Sequence, residues 1–158
     1  MWFLFIFGDN VEDRLGHLPY LVFYCLCGVI ASLAHWYMYP ESPVPTVGAS
    51  GAIAGVMGAY YVLYPRSMVL TLVPLYFYIT FLVLPAPIFL GLWFLFQLVQ
   101  GTASVSDLSA GGVAWWAHIG GFVAGGAVGL VLRATGWGRK KVVRYRPGTE
   151  RIGWIRAR

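Results

Sequence analysis

The sequence predicts an all-α fold, a polytopic bundle of transmembrane helices. The chain is 59% hydrophobic and only 11% charged, and its mean hydropathy is +0.70. A soluble domain normally carries about 25% charged residues, so a water-exposed surface could hardly be covered with so few charges. At 158 residues the chain has the length of one domain.

Four stretches have the composition of membrane-crossing helices, which need about 20 mostly apolar residues. They are residues 18–39, 48–64, 86–100 and 113–132. Residues 1–7 are apolar but too short to span, and they resemble the end of an upstream helix. The transmembrane domain is therefore expected to occupy residues 1–134.

Residues 68–84 are apolar, aromatic and β-branched, and they fit either a further helix or an extended segment at the membrane interface. Counting residues 68–100 as one crossing places Arg14, Arg66 and Arg133 on the same side as the basic tail. Two crossings would move that tail to the outer side, against the positive-inside tendency. Three prolines also weaken a continuous helix through this region. We therefore expect residues 68–84 to be interfacial, with the crossing beginning near Pro85.

The net charge of +5 is concentrated near the carboxyl terminus, since most of the eleven basic residues follow Gly138. Basic residues just beyond an apolar helix are typical of a cytoplasmic anchor beside anionic lipid headgroups. They are less typical of a nucleic-acid interface. A solvated tail without a partner is the alternative. We expect residues 135–158 to be a cytoplasmic tail and the lipid bilayer to be a partner.

No metal site or cofactor is predicted. Cys25 and Cys27 lie two residues apart in an apolar run, so on a helix they point to different faces. Packing is the default role for such cysteines.

Two polar side chains stand out by position. Ser50 opens one predicted helix, and His118 lies about one turn into another. With a single crossing between them, both helices enter from the same membrane face, so the two side chains are expected at similar shallow depth. A serine hydroxyl needs a neighbouring base to become a good nucleophile, and histidine is the usual base. A histidine inside a membrane segment is also a candidate functional residue by default.

Each signal has an ordinary structural reading. A serine at a helix start is more often a cap, and a histidine near a helix end more often packs. A nucleophile elbow needs a preceding strand and an acid between serine and histidine, where this chain has only Asp107 in a loop. The available arrangement is therefore a Ser–His dyad.

Glycines spaced three or four residues apart let helix backbones approach each other closely in lipid. Two predicted helices carry such glycines, which are Gly51, Gly55, Gly58, Gly121, Gly125 and Gly129.

Three segments together resemble the rhomboid family of intramembrane serine proteases. Val47-Gly48-Ala49-Ser50-Gly51-Ala52-Ile53-Ala54-Gly55 is similar to the serine motif that opens the family's fourth helix. Ala117-His118-Ile119-Gly120-Gly121-Phe122-Val123-Ala124-Gly125 resembles the sixth-helix pattern. Phe7-Gly8-Asp9-Asn10-Val11-Glu12-Asp13-Arg14-Leu15-Gly16 resembles the short turn between the second and third helices. The resemblance covers nearly all of the chain up to Arg133.

The resemblance implies a role for each matching residue. Ser50 would be the nucleophile and His118 the general base and later general acid. Backbone groups at Gly48, Ala49 and Gly51 would lie near the developing oxyanion. Gly121 and Gly125 would pack helices beside the site.

The resemblance also assigns two mobile segments. Residues 86–100 would be the family's mobile fifth helix, and residues 101–112 would be the flexible cap over the site.

The family's first helix and most of its second have no counterpart before Gly8. The second helix carries histidine and asparagine residues that help to hold the oxyanion, and losing one such donor typically costs about 100- to 1000-fold in rate. We expect a shortened sequence or a misassigned start codon. In place of an aromatic residue that stacks on the histidine in some members, this chain has Ala54.

The resemblance implies an intramembrane serine endopeptidase that cleaves transmembrane protein substrates, located in a bacterial cytoplasmic membrane. The alternative is a catalytically inactive rhomboid-like protein that binds transmembrane clients. A channel or transporter is disfavoured because no Asp, Glu, Lys or Arg lies within the four predicted spans.

Overall fold

The computed structural model describes residues 2–41, 49–75, 78–104 and 113–138. The elements in chain order are α1 (Trp2–Leu15), α2 (His17–Met38), α3 (Ser50–Leu63), β1 (Met68–Leu75), β2 (Tyr78–Pro85), α4 (Ala86–Ser104) and α5 (Trp115–Thr135). Helices dominate these residues, which confirms the predicted all-α bundle.

Helix α3 is the centre of the bundle. Its residues from Gly51 to Tyr60 are all buried, because α1, α2, α4 and α5 each contact it. A helix that is apolar on every side must be surrounded by protein or lipid. Here the surrounding material is mostly protein.

The closest helix packing is between α3 and α5, and glycines make it possible. A Cβ atom at Gly121 would overlap the carbonyl oxygen of Gly51, and one at Gly125 would overlap the carbonyl oxygen of Gly55. A Cβ at Gly58 would overlap the carbonyl oxygen of Phe122. The two backbones are therefore in direct contact, the arrangement that small residues allow in membranes.

Helix α1 extends further than the sequence analysis expected. Residues 7–16 were expected to form a turn, but the helix continues to Leu15 and the chain turns at Gly16, whose φ is +88°. The helix persists because Phe7 and Val11 are fully buried on its inner face, and the ring of Phe7 packs edge-on against Tyr60 at 4.9 Å. Residues 2–7 are the first half of this helix.

The segment between α3 and α4 is an antiparallel hairpin, with Met68 paired to Pro85 and Leu75 to Tyr78. We predicted one extended interfacial stretch, and the extended backbone is observed, but its pairing with itself was not predicted. β-Branched and aromatic residues favour strands. Pairing also satisfies backbone N–H and C=O groups that an apolar environment would leave unsatisfied.

Among the described residues, three helices are long and apolar enough to cross a membrane: His17–Met38, Ala86–Ser104 and Trp115–Thr135. Helix α3 is apolar but has only 14 residues. Many large apolar side chains on the outer faces of α2, α4 and α5 are exposed, as expected for surfaces that face lipid. The predicted tail, residues 135–158, lies mostly outside the described residues.

The α3–α5 contact predicts unequal responses to Gly→Ala substitution at neighbouring positions. Gly125→Ala should destabilise the protein, because the overlap with Gly55 forces the helices apart at a cost of about 1–3 kcal/mol. Gly126→Ala is the matched control, since its Cβ would lie 3.8 Å from the carbonyl oxygen of Gly58, an ordinary contact. Thermal unfolding in detergent should show a lower Tm for Gly125→Ala and an unchanged or higher Tm for Gly126→Ala. Equal Tm values would contradict the close packing.

Candidate active site

The α3–α5 contact brings together the amino-terminal ends of both helices. A Cβ atom on Gly51 would lie 3.3 Å from the carbonyl oxygen of Ala117. Gly51 follows Ser50, and Ala117 precedes His118. The two candidate residues, 68 positions apart in sequence, therefore flank one backbone contact at one end of the bundle.

Ser50 is the first residue of α3, and its side chain is exposed. The N-cap is Ala49, and no side chain caps the helix, so Ser50 does not have the capping role that a serine at this place often has. The first helical hydrogen bond runs from the Ile53 N–H to the Ala49 carbonyl at 3.0 Å. As at any helix start, the N–H groups before Ile53 have no partner within the helix. Gly48 lies outside the described residues.

His118 lies one turn into α5 and is partly buried. Its Nδ1 atom is 2.7 Å from Oε1 of Gln97 on α4. An amide oxygen can only accept a hydrogen bond, so Nδ1 is the donor and Nε2 carries the lone pair. That tautomer leaves Nε2 as the nitrogen able to take a proton from a hydroxyl. Among the described residues, no hydrogen bond joins His118 to Ser50.

Aromatic rings surround the His118 imidazole. The ring of Trp93 lies 5.9 Å away, and the ring of Trp115 stands edge-on at 6.4 Å. Ala54 does not supply the stacking aromatic that some rhomboid proteases have. In this chain, rings from α4 and from the start of α5 are next to the imidazole instead.

Gln97 is the residue that sequence reasoning missed. It is 3% exposed and is the buried polar side chain of the described core. The signal was a pair of amides, Gln97 and Gln100, within the otherwise apolar residues 86–100, where a buried polar group needs a partner. Trp93 and Gln97 are four residues apart and so lie on one face of α4, the face that meets His118.

Helix α4 continues into the region expected to be the cap. Residues 101–104 are helical, and Trp116 donates a hydrogen bond from Nε1 to the carbonyl oxygen of Gly101 at 3.0 Å. This corrects the expected loop boundary, since the buried Gly101 packs against Ile119 and Trp115 and continues the helix. The rest of the predicted cap, residues 105–112, lies outside the described residues.

The other two histidines were expected to be structural. His17 lies near the opposite end of the bundle and pairs with Glu12 at 2.6 Å. His35 is on α2, one turn beyond Ala31, whose Cβ lies against Gly51. Its Nδ1 is buried without a hydrogen-bond partner among the described residues. Within the described chain, no group of three or more metal-ligating side chains is found.

Comparisons with known proteins point to one family. The family model of the rhomboid domain matches residues 1–135. Over 125 residues, which are 78% of this chain and 21% of the relative, the sequence is 32% identical to the rhomboid protease GluP of Bacillus subtilis. Over 56 residues, which are 35% of this chain and 20% of the relative, it is 41% identical to the chloroplastic rhomboid-like protein 11 of Arabidopsis thaliana.

The chain spans about one fifth of the length of these curated relatives. No solved structure gives a significant match. The family match covers every described helix, including the helices that carry Ser50 and His118. This chain belongs to the rhomboid family of integral membrane proteins.

Proposed function

We propose that the protein is an intramembrane serine endopeptidase that hydrolyses peptide bonds of transmembrane protein substrates with a Ser50–His118 dyad. One observation carries the proposal: the contact of Gly51 with Ala117, which brings the starts of α3 and α5 together. The bacterial relative's description as a protease supports the same reaction class.

In the proposed reaction, the Ser50 hydroxyl attacks the carbonyl carbon of the scissile peptide while His118 Nε2 takes its proton. The tetrahedral intermediate carries negative charge on the former carbonyl oxygen. N–H groups that are free at the start of α3, near Ala49 and Gly51, are suited to stabilise that charge. His118 then donates the proton to the leaving amine, and water hydrolyses the acyl-enzyme with His118 again acting as base.

Gln97 is a positioning residue in this mechanism. By accepting the Nδ1 hydrogen bond, it favours the tautomer whose Nε2 is basic and limits rotation of the ring. A third group that orients the base is a recurrent feature of activated serines. Here the group is neutral, so it orients the imidazole without adding a charge to an apolar region.

The proposed orientation of the protein in the membrane follows from the positions of its positively charged residues. Arg14, Arg66 and Arg133 lie at the end of the bundle opposite Ser50, which would place them with the basic tail on the cytoplasmic side. Cleavage would then occur near the outer end of the substrate's membrane segment. The location proposed is a bacterial cytoplasmic membrane.

Ser50→Ala should abolish cleavage of a model single-span substrate by the purified chain in detergent or liposomes. Removing a serine nucleophile costs about 10⁶-fold in a soluble protease. Ser32→Ala is the control, because Ser32 is exposed on α2 and its hydroxyl donates a hydrogen bond to the Gly28 carbonyl within its own helix. Cleavage products quantified by gel and mass spectrometry are the measurement.

Equal cleavage by wild type and Ser50→Ala would contradict the proposal. A wild-type sample that unfolds cooperatively and crosslinks to the substrate, yet does not cut it, would favour the client-binding alternative.

Gln97→Leu should lower kcat by about 10- to 100-fold, with little change in KM, because the reacting base is mispositioned while substrate contacts remain. Gln97→Glu keeps an acceptor oxygen and should retain the Nδ1 proton. Gln100→Leu makes the same chemical change one turn further along α4 and serves as the control. Nitrogen-15 NMR of labelled histidine, assigned with a His118→Ala sample, reports the tautomer independently of activity.

An Nδ1–H tautomer in wild type that is lost in Gln97→Leu would support the positioning role. An Nε2–H tautomer in wild type would overturn it.

A further inference from the structure

A cleft lies at the opposite end of the bundle from Ser50 and His118. It has a volume of about 420 Å³ and is lined by Arg14, Arg66 and Arg133 together with the chain at 63–67. These arginines come from the end of α1, from the turn after α3 and from the end of α5. Three cations distant in sequence thus converge on one concave surface.

Two of the three arginines donate hydrogen bonds to main-chain carbonyls. Arg14 donates from Nη2 to the Leu132 carbonyl at 3.2 Å, and Arg133 donates from Nη1 to the Val62 carbonyl at 3.3 Å. These contacts occupy one N–H of the five on each guanidinium group, so donors remain on both. The Nε of Arg14 is buried without a hydrogen-bond partner among the described residues.

The turn that carries Arg66 is fixed at both sides. The Ser67 N–H donates to the Tyr64 carbonyl at 3.1 Å, and the Ala86 N–H donates to the Ser67 carbonyl at 2.8 Å. The Tyr64 hydroxyl also donates to the Asn10 carbonyl on α1 at 2.6 Å. The exposed side chain of Arg66 therefore projects from an ordered turn.

The electrostatic balance of the cleft is positive. None of its described lining residues is acidic, and the described residues give none of the three arginines a carboxylate partner. The carboxyl ends of α1, α3 and α5 meet here, and each contributes about −0.5 elementary charge. Those partial charges offset roughly half of the three positive charges, and the described lining residues supply no carboxylate for the remainder.

We propose that this cleft binds a phosphate group, supplied by the headgroup of an anionic phospholipid. Guanidinium groups bind phosphate oxygens with paired, charge-assisted hydrogen bonds. Helix α3 is about 21 Å long at 1.5 Å per residue, shorter than a hydrocarbon core of about 30 Å. A helix this short ends near the hydrocarbon boundary, and the long arginine side chains beside its end can extend from there to the phosphate of a lipid headgroup.

The test uses the purified full chain and three probes: short-chain phosphatidylglycerol, phosphatidylcholine of the same chain length, and inorganic phosphate. Binding is measured by native mass spectrometry and by ligand-induced shifts in Tm. Arg66→Gln removes one cation from the cleft, and Arg66→Gln combined with Arg133→Gln removes two. Arg146→Gln removes the same charge from the basic tail and is the matched control.

Phosphatidylglycerol should bind wild type saturably and at least about tenfold more tightly than phosphatidylcholine. Arg66→Gln should weaken this binding by about tenfold or more, as expected for loss of a charge-assisted hydrogen bond. Arg146→Gln should change it by less than about twofold. Arg66→Lys keeps the charge without the paired donors, should weaken binding severalfold, and provides the test if the glutamine variant does not fold.

Inorganic phosphate that binds as tightly as the lipid, and with the same dependence on Arg66, would uphold the phosphate site and identify a soluble source. Binding that is unchanged in both glutamine variants would overturn the proposal. A loss in Arg146→Gln as large as that in Arg66→Gln would also overturn it, since the attraction would then be spread over the basic surface.

Discussion

The direct backbone contact between α3 and α5 is the constraint on which the arrangement depends. In lipid, apolar side chains gain little by leaving one apolar environment for another, so helices associate through close packing. At Gly121 and Gly125 even a methyl group would overlap the carbonyls of α3. The contact sets the register of the two helices and so the relative positions of Ser50 and His118. The geometry of the candidate active site therefore depends on glycines, which have no reactive group of their own.

The two ends of the bundle differ in chemistry. At one end, the proposed dyad and its positioning amide are neutral, and aromatic rings surround the imidazole. At the other end, three arginines meet the carboxyl ends of three helices. Helix α3, with 14 residues, is too short to cross a typical hydrocarbon core by itself.

The sequence predicted much of this organisation and missed identifiable parts of it. The lengths of the apolar stretches predicted α2, α3, α4 and α5. The spacing of small residues predicted which faces of α3 and α5 pack together. The helical course of residues 7–15 was missed because polar residues and Gly8 suggested a turn, whereas the burial of Phe7 and Val11 against α3 maintains the helix. The hairpin was missed because an apolar, β-branched stretch does not reveal its own pairing partner. The partner of His118 was missed because two glutamines three residues apart, Gln97 and Gln100, give no indication of which of them faces another helix.

The sequence by itself predicted that the protein is a helical membrane protein, that Ser50 opens one helix and His118 lies one turn into another, and that Gly51, Gly55, Gly121 and Gly125 are packing residues. These properties follow from local composition and from the period of the helix, which neighbouring residues are enough to define. Only the tertiary structure decided that Gln97 accepts the Nδ1 hydrogen bond of His118 and that Arg14, Arg66 and Arg133 converge on one cleft. Those contacts join residues 21 to 119 positions apart in sequence, and the docking of whole helices brings them together.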